Sequence, residues 1–334
     1  VSVSRVSMLS IIMLGAACTG NSQVVDARNE APLEPGRSLM GNYLAALHAQ
    51  SEGNMEAAGL YYGATLDFDP GNADLIRRTF LVNLLDDNMA GAIKLAPLVL
   101  DRNPDDQLAN LTLVADFFIK GQFEEARTRL DALKDGGLNN YLKPLFRAWS
   151  YIGDGGDSAD GKAAFAALAP LAESPATTLL HNAHAALINV AIGDNEQAET
   201  LFVGMIETQG GMSLRKTRLF GAFYEKIGEF EKAGALYNGY IDQYGSAQFL
   251  QKALERVESK SGSTLATMNA SQGAAEALFD LTGSLRQQNA METALVLSHI
   301  GLHMRPDFST LKLIAGGILE GIERYDSAQK IYEK

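Results

Sequence analysis

A single cysteine, a shortage of basic residues and an absence of long apolar runs set the first limits on this chain. Cys18 is the only cysteine among 334 residues. That excludes an intramolecular disulfide and a cysteine-built zinc cage. The apolar run Met8–Ala17 has ten residues, about half of what a helix needs to cross a bilayer. Lys and Arg number 28 against 40 Asp and Glu, for a net charge of −12. A chain so poor in cations lacks the footprint that phosphate backbones require, and no nucleic-acid partner is expected. No phosphate-cradling loop, dinucleotide fingerprint or Ser-His-Asp order is present. His299 and His303 are four apart, and His181 and His184 three apart, so each pair shares a helical face. Neither has a third ligand nearby, and packing or surface histidines are expected. Asp154, Asp157 and Asp160 offer oxygen ligands among glycines, but a calcium loop of the EF-hand kind alternates its ligands by two. A solvated turn is expected there. No cofactor, no metal and no enzymatic activity are expected.

What the chain does contain is a period. Gly53–Pro70, GNMEAAGLYYGATLDFDP, spells a turn, a helix and a stop, because proline cannot continue a helix and restricts the residue before it. Ala58, Ala92 and Ala126 follow at steps of 34, and Pro70 and Pro104 are also 34 apart. Near the other end Ala294 and Ala328 repeat the step, and Ala294 precedes Pro306 by 12, as Ala58 precedes Pro70. Apolar residues recur at spacings of three and four between these marks, which predicts one-sided helices. Two antiparallel helices cannot bury their apolar faces alone, so each pair must stack on the next.

This grammar resembles the tetratricopeptide repeat, with small residues in the second helix, Gly turns and closing prolines. The resemblance covers roughly residues 39–334 and implies an all-α, right-handed superhelical solenoid of antiparallel helix pairs. Repeats one to six occupy 39–241, with Ala198, Gly221, Tyr224 and Ala233 at family positions in repeats five and six. Repeat four, which carries the only tryptophan, Trp149, is degenerate. Asp242–Glu258 reads as a further helix and Lys260–Ser271 as a loop rich in Ser, Thr and Gly. Residues 242–272 therefore form an irregular insertion, which either divides the array into two lobes or folds back into its groove. Residues 273–334 hold repeats seven and eight, the last incomplete and without a polar capping helix, from which continuation beyond Lys334 is expected. The tryptophan often found early in each tetratricopeptide repeat is missing.

The N-terminus reads as an export signal over residues 1–17: Arg5, a short apolar run, then Gly15-Ala16-Ala17 leading into Cys18. This resembles a bacterial lipoprotein signal, which implies lipidation of Cys18, although Gly15 stands where a large aliphatic residue is usual. Ordinary cleavage near Ala17 and an uncleaved apolar N-terminus are the alternatives. Residues 18–38, polar and holding Pro32 and Pro35, read as a flexible tether. The stretch GAAEALFDLTGSLRQQNA, 273–290, also resembles repeat lipoproteins of alphaproteobacteria.

In the resembled family the inner wall comes from the first helix of each repeat. By register that wall shows Tyr43, Leu47, Leu81, Leu84, Leu108, Leu111, Ala115 and Phe118 early, and Arg215, Arg218, Glu225, Phe279 and Arg286 late. An apolar wall suits an amphipathic or extended peptide, and the arginines suit a carboxylate or acidic segment. A register error of one residue would exchange wall for core. The reading is of a non-enzymatic protein-interaction scaffold on the periplasmic face of a bacterial envelope membrane, held by a lipid at Cys18, with the outer membrane expected. A soluble periplasmic protein is the alternative address. A periplasmic receptor for peptides or glycans, and a regulatory array for an enzyme beyond Lys334, are the alternative functions.

Overall fold

The computed structural model describes residues 34–153, 159–209, 212–245, 247–263 and 265–334. The chain divides into two units, Val1–Glu34 and Pro35–Lys334, and every described helix belongs to the second. The signal, Cys18, Asp154 and Asp157 lie outside the described residues.

Among the described residues eight helix pairs follow one another. They are α1 Leu39–Ser51 with α2 Met55–Phe68, α3 Ala73–Leu85 with α4 Met89–Arg102, and α5 Gln107–Ile119 with α6 Phe123–Ala132. Next come α7 Asn139–Ser150 with α8 Gly161–Ala172, α9 Pro175–Ile192 with α10 Asn195–Gln209, and α11 Leu214–Ile227 with α12 Phe230–Tyr244. After a single short helix, α13 Gln251–Glu258, come α14 Ala270–Gln287 with α15 Met291–Met304, and α16 Ser309–Gly321 with α17 Tyr325–Glu333. No strand occurs among the described residues, and no helix there is long and apolar enough to cross a membrane.

The 34-residue step is written into the helix ends. Asn54 and Asn88 cap second helices, and Asn72 and Asp106 cap first helices, each side chain accepting from a backbone N–H in the first turn. Such a cap satisfies one of the donors a helix start leaves orphaned. The turn inside each pair needs a left-handed residue. Gly53, Gly121, Gly193 and Gly228 supply it without strain, while Asp87, Asn289 and Glu323 take φ of 58°, 60° and 63°. Pro70, Pro104 and Pro306 each follow a residue outside the helical region, Asp69, Asn103 and Arg305, that ends a second helix.

The small residues are buried where helices cross. Ala58, Ala92, Ala126, Ala198, Ala233 and Ala294 are fully covered, and Ala328 nearly so. At Gly221 an added Cβ would lie 2.2 Å from the Tyr237 ring, so that crossing tolerates only hydrogen. One core runs from Ile76 to Ile331, and a smaller one sits under repeat one around Tyr62.

The helix read from Asp242 to Glu258 is broken. Gly245 in the left-handed region ends α12, a 3-10 turn covers Ala247–Phe249, and α13 begins at Gln251. Repeat five begins at Pro175, because Ser174 caps its first helix and proline suits the first turn. α13 packs on α11 and α12, as a next repeat would. The chain then leaves the stack. Ala266 and Met268 are buried on the way, and the N–H of Ala270 donates to the carbonyl of Gly153, 2.8 Å away, far back in the sequence.

Candidate functional site: the inner face of the array

The return of the chain decides what the inner face can hold. α14 lies against α5, α7 and α9, and α15 against α3, α4 and α5. The final repeats therefore occupy the face that the first helices of repeats two to five present. The groove expected to stand open is filled along this length by the chain itself. Leu84, Leu111, Ala115 and Phe118 are buried, and Leu81 and Leu108 half-buried. Tyr43 and Leu47, on α1, are half-buried, with Tyr43 edge-on to Tyr62 at 6.2 Å. Helical spacing placed these side chains on one face, but it did not say what covers that face.

Three anchors hold the returning pair. At the first, Gly273 lies flat on Trp149, with an added Cβ only 2.1 Å from the ring. Trp149 donates its indole N–H to Nδ1 of His184 at 3.0 Å. Nδ1 thus accepts, and Nε2 faces Asp280 of α14 at 3.5 Å.

The second anchor is ionic and buried. Arg215 of α11 grips Glu276 of α14 through both carboxylate oxygens, Nε donating at 2.8 Å. Arg305 approaches the same carboxylate at 3.6 Å. Both guanidiniums lie over the Phe308 ring, at 4.6 and 4.9 Å from its centre, and Phe279 packs against that ring at 5.4 Å. Burial and the neighbouring Arg215 push the Arg305 guanidinium below its ordinary pKa. Two of the expected late-wall residues, Arg215 and Phe279, thus come together on the Phe308 ring, Arg215 buried and Phe279 half-buried. Arg218 is exposed, and the desolvation of its partly enclosed head, with Arg215 and Arg256 nearby, lowers its pKa. Arg286 is exposed at the other end of α14. Glu225 is buried and engaged by Arg256 of α13 at 2.6 and 3.0 Å and by the Tyr237 hydroxyl at 2.6 Å.

The third anchor is the seam where the ends of the array meet. Nδ1 of His299 donates to the carbonyl of Leu84 at 2.8 Å. Arg324 donates to the carbonyl of Leu85 at 2.9 Å and faces Asp86 at 3.6 Å. Lys330 pairs with Glu56 at 2.6 Å, and Lys334 with Asp87. Burial raises the Asp86 carboxyl to about 6, and it holds His299 below the ordinary histidine range.

The histidine pairs divide in the same way. His299 and His184 are interior hydrogen-bonding groups, while His303 and His181 are partly exposed. Asp160 caps α8. Among the described residues no group of three or more His, Cys, Asp or Glu side chains is placed to hold a metal ion. Sequence reasoning overlooked Glu276, Arg305 and Phe308. A lone carboxylate inside the apolar run GAAEALF was the available signal, since such a charge must find a buried partner.

No protein-family model and no curated protein matches the chain. Solved structures do. A chain from the structure of Naa15/Naa10 bound to HypK-THB is 13% identical, with a TM-score of 0.43, over 88% of this chain and 52% of that one. The P58(IPK) TPR domain is 14% identical, with a TM-score of 0.27, over 88% of this chain and 91% of that one. This chain spans about half the length of the first. The fold is identified by the helix pairs themselves, an all-α, tetratricopeptide-like array.

Proposed function

We propose that this chain is a non-enzymatic protein-interaction scaffold of a bacterial envelope, tethered to the periplasmic face of a membrane through a lipid on Cys18. The observation that carries the scaffold reading is the allocation of side chains along 300 residues of stacked helix pairs. Buried ionisable groups such as Glu276, Glu225 and His299 are spent on holding helices together. Large apolar side chains nevertheless stand in solvent at both ends: Met40 and Leu44 on α1, Leu313 on α16 and Tyr325 on α17. Protein contacts use such residues. The lipid anchor rests on the sequence around Cys18 alone, and the outer membrane is the expected address.

The test pairs two steps in the native host. Labelling with a palmitate analogue, wild type against Cys18→Ser, reads the anchor, and loss of both label and membrane association in the variant is the expected result. In-cell crosslinking then reads the scaffold, with recovery of a reproducible envelope protein expected. An unlabelled, soluble wild type removes the anchor, and an array that captures no envelope protein removes the scaffold at this address.

A further inference from the structure

The inner face of repeats two to five is a wall of first helices, and α14 and α15 lie against it. The contact that holds them there is poorly matched in its polar groups. Six buried side-chain nitrogens and oxygens among the described residues lack a hydrogen-bond partner. One is the Thr282 hydroxyl of α14. The other five belong to His184, His299, Arg305 and Arg324, at the three anchors of the returning pair. The carboxylates nearest His184 and Arg305 stand at 3.5–3.6 Å, too far for full hydrogen bonds. Each atom left unmet weakens the contact that buries it. No other buried polar side-chain atom among the described residues is left so.

The far end of the returning block is held from the surface. The side chains of Lys330 and Glu56 are 63% and 66% exposed, and Lys334, which pairs with Asp87, is exposed as well. Pairs in solvent contribute little and are screened by salt. Hollows of about 620 and 430 Å³ lie along the same seam, between α17 and the turns that lead into α4 and α2, so close packing there is sparse. A contact with unmet interior groups and a loose outer edge opens at less cost than the stack of repeats beneath it.

What the wall accepts is written on the helix that covers it. Gly273, Glu276 and Asp280 are spaced by three and four residues, so they share one face of α14. Gly273 lies on Trp149, where a Cβ would be 2.1 Å from the ring. Glu276 enters the fork of Arg215, and Asp280 faces His184. Leu84, Leu111 and Phe118 supply the apolar remainder of the wall. We propose that α14 is an autoinhibitory occupant of this groove. The groove receives an amphipathic helix of a partner protein that presents glycine, glutamate and aspartate at the spacing of residues 273, 276 and 280. The partner helix displaces the returning block and remakes its contacts with Trp149, Arg215 and His184. The proposal rests on the scaffold reading for the existence of a partner, and it names the surface and the chemistry of that partner.

The test uses the full chain with Cys18→Ser in three forms. One is otherwise unchanged. The second carries Lys330→Glu and Lys334→Glu, which turn both exposed pairs repulsive. The third carries Glu56→Cys and Lys330→Cys joined by a short bismaleimide, which ties the block down. The probe is a fluorescein-labelled peptide of residues 270–287, titrated by anisotropy. The repulsive form is expected to bind it about tenfold or more tightly than the tied form, with the unchanged form between them, because the resident helix competes at high effective concentration. The same peptide with Gly273→Leu is expected to bind about tenfold more weakly, since a side chain there meets the Trp149 ring. A merely sticky apolar surface would hold it as well or better. Hydrogen exchange in the unchanged form is expected to show protection about tenfold lower along α14 than along α5 and α7. Equal binding by all three forms, no binding by the repulsive form, undiminished binding of the Gly273→Leu peptide, or α14 protected as well as α5 and α7 overturns the proposal. If the repulsive form dimerises and the peptide dissolves the dimer, the occupant is a second copy of this chain, which overturns the assignment to a partner protein. The envelope labelling and crosslinking results stand whichever way these fall, so the two proposals fail separately.

Discussion

Replacing Glu276 with glutamine removes one negative charge from beneath two guanidiniums. Arg215 and Arg305 are each 8% or less exposed, and Glu276 is 3% exposed. Their guanidinium carbons sit 4.6 and 4.9 Å from the Phe308 centroid, so they are within about 10 Å of each other. At an effective dielectric near 20, repulsion at roughly that distance is about 1.7 kcal/mol once the carboxylate no longer offsets it. The lost charge-assisted hydrogen bonds add about 1.5–3 kcal/mol. A total near 3–5 kcal/mol matches what breaking a buried pair by removing one partner usually costs. The assay is urea denaturation followed by far-UV circular dichroism and by Trp149 fluorescence. Trp149 is the only tryptophan, and it packs directly against α14. Arg215→Met with Glu276→Leu, which removes the pair together, is expected to lose less than Glu276→Gln alone. A loss below about 1 kcal/mol for Glu276→Gln, or a double variant no better than the single, refutes the claim that this ion pair is an interior anchor.

Other substitutions probe other parts of the fold. Gly273→Ala drives a methyl into the Trp149 ring, where a Cβ would lie 2.1 Å away. A destabilisation of about 1–3 kcal/mol and an altered Trp149 emission are expected, measured by the same denaturation. Glu323→Gly relieves a left-handed backbone at φ 63°, and a gain of about 0.5–1 kcal/mol is expected in thermal or urea unfolding, the flexibility of glycine offsetting part of the relief. For His299 the folded pKa is depressed by burial. The unfolded chain therefore takes up the proton first, and this contribution to stability, present above about 6.5, is lost as pH falls. Asp86, raised to about 6, acts in the opposite sense, its contribution fading as pH rises through 6. Stability measured from pH 7.5 to 5 is expected to fall less steeply in His299→Gln than in wild type, and parallel curves would contradict the assignment.

Much of the fold was legible because its signals are local. Gly53 turns the chain and Pro70 and Pro104 close helices within a few residues of sequence, and Ala58, Ala92 and Ala126 mark crossings by size alone. The return of α14 and α15 was not legible, because the helical period assigns a face without naming its partner. Leu84 and Phe118 read equally well as an open wall and as core, and in the folded chain they are buried. The insertion between repeats six and seven was visible as a break in period. Its consequence, the seating of Gly273 on Trp149, depends on residues more than a hundred positions apart. The seam was hidden for the same reason, since Lys330 and Glu56 are ordinary surface residues until the ends of the array meet.

That meeting is the central claim, and zero-length carbodiimide crosslinking of dilute wild-type protein tests it most directly. The reagent joins a lysine to a carboxylate only when the two touch. Intramolecular links between Lys330 and Glu56 and between Lys334 and Asp87 are expected in the monomer band, identified by mass spectrometry. Eight pairs stacked as an open array would hold these residues many helix spacings apart, each roughly 8–10 Å. Absence of both links, or their presence only in crosslinked dimers, would mean that the last repeats do not close onto the first within one chain.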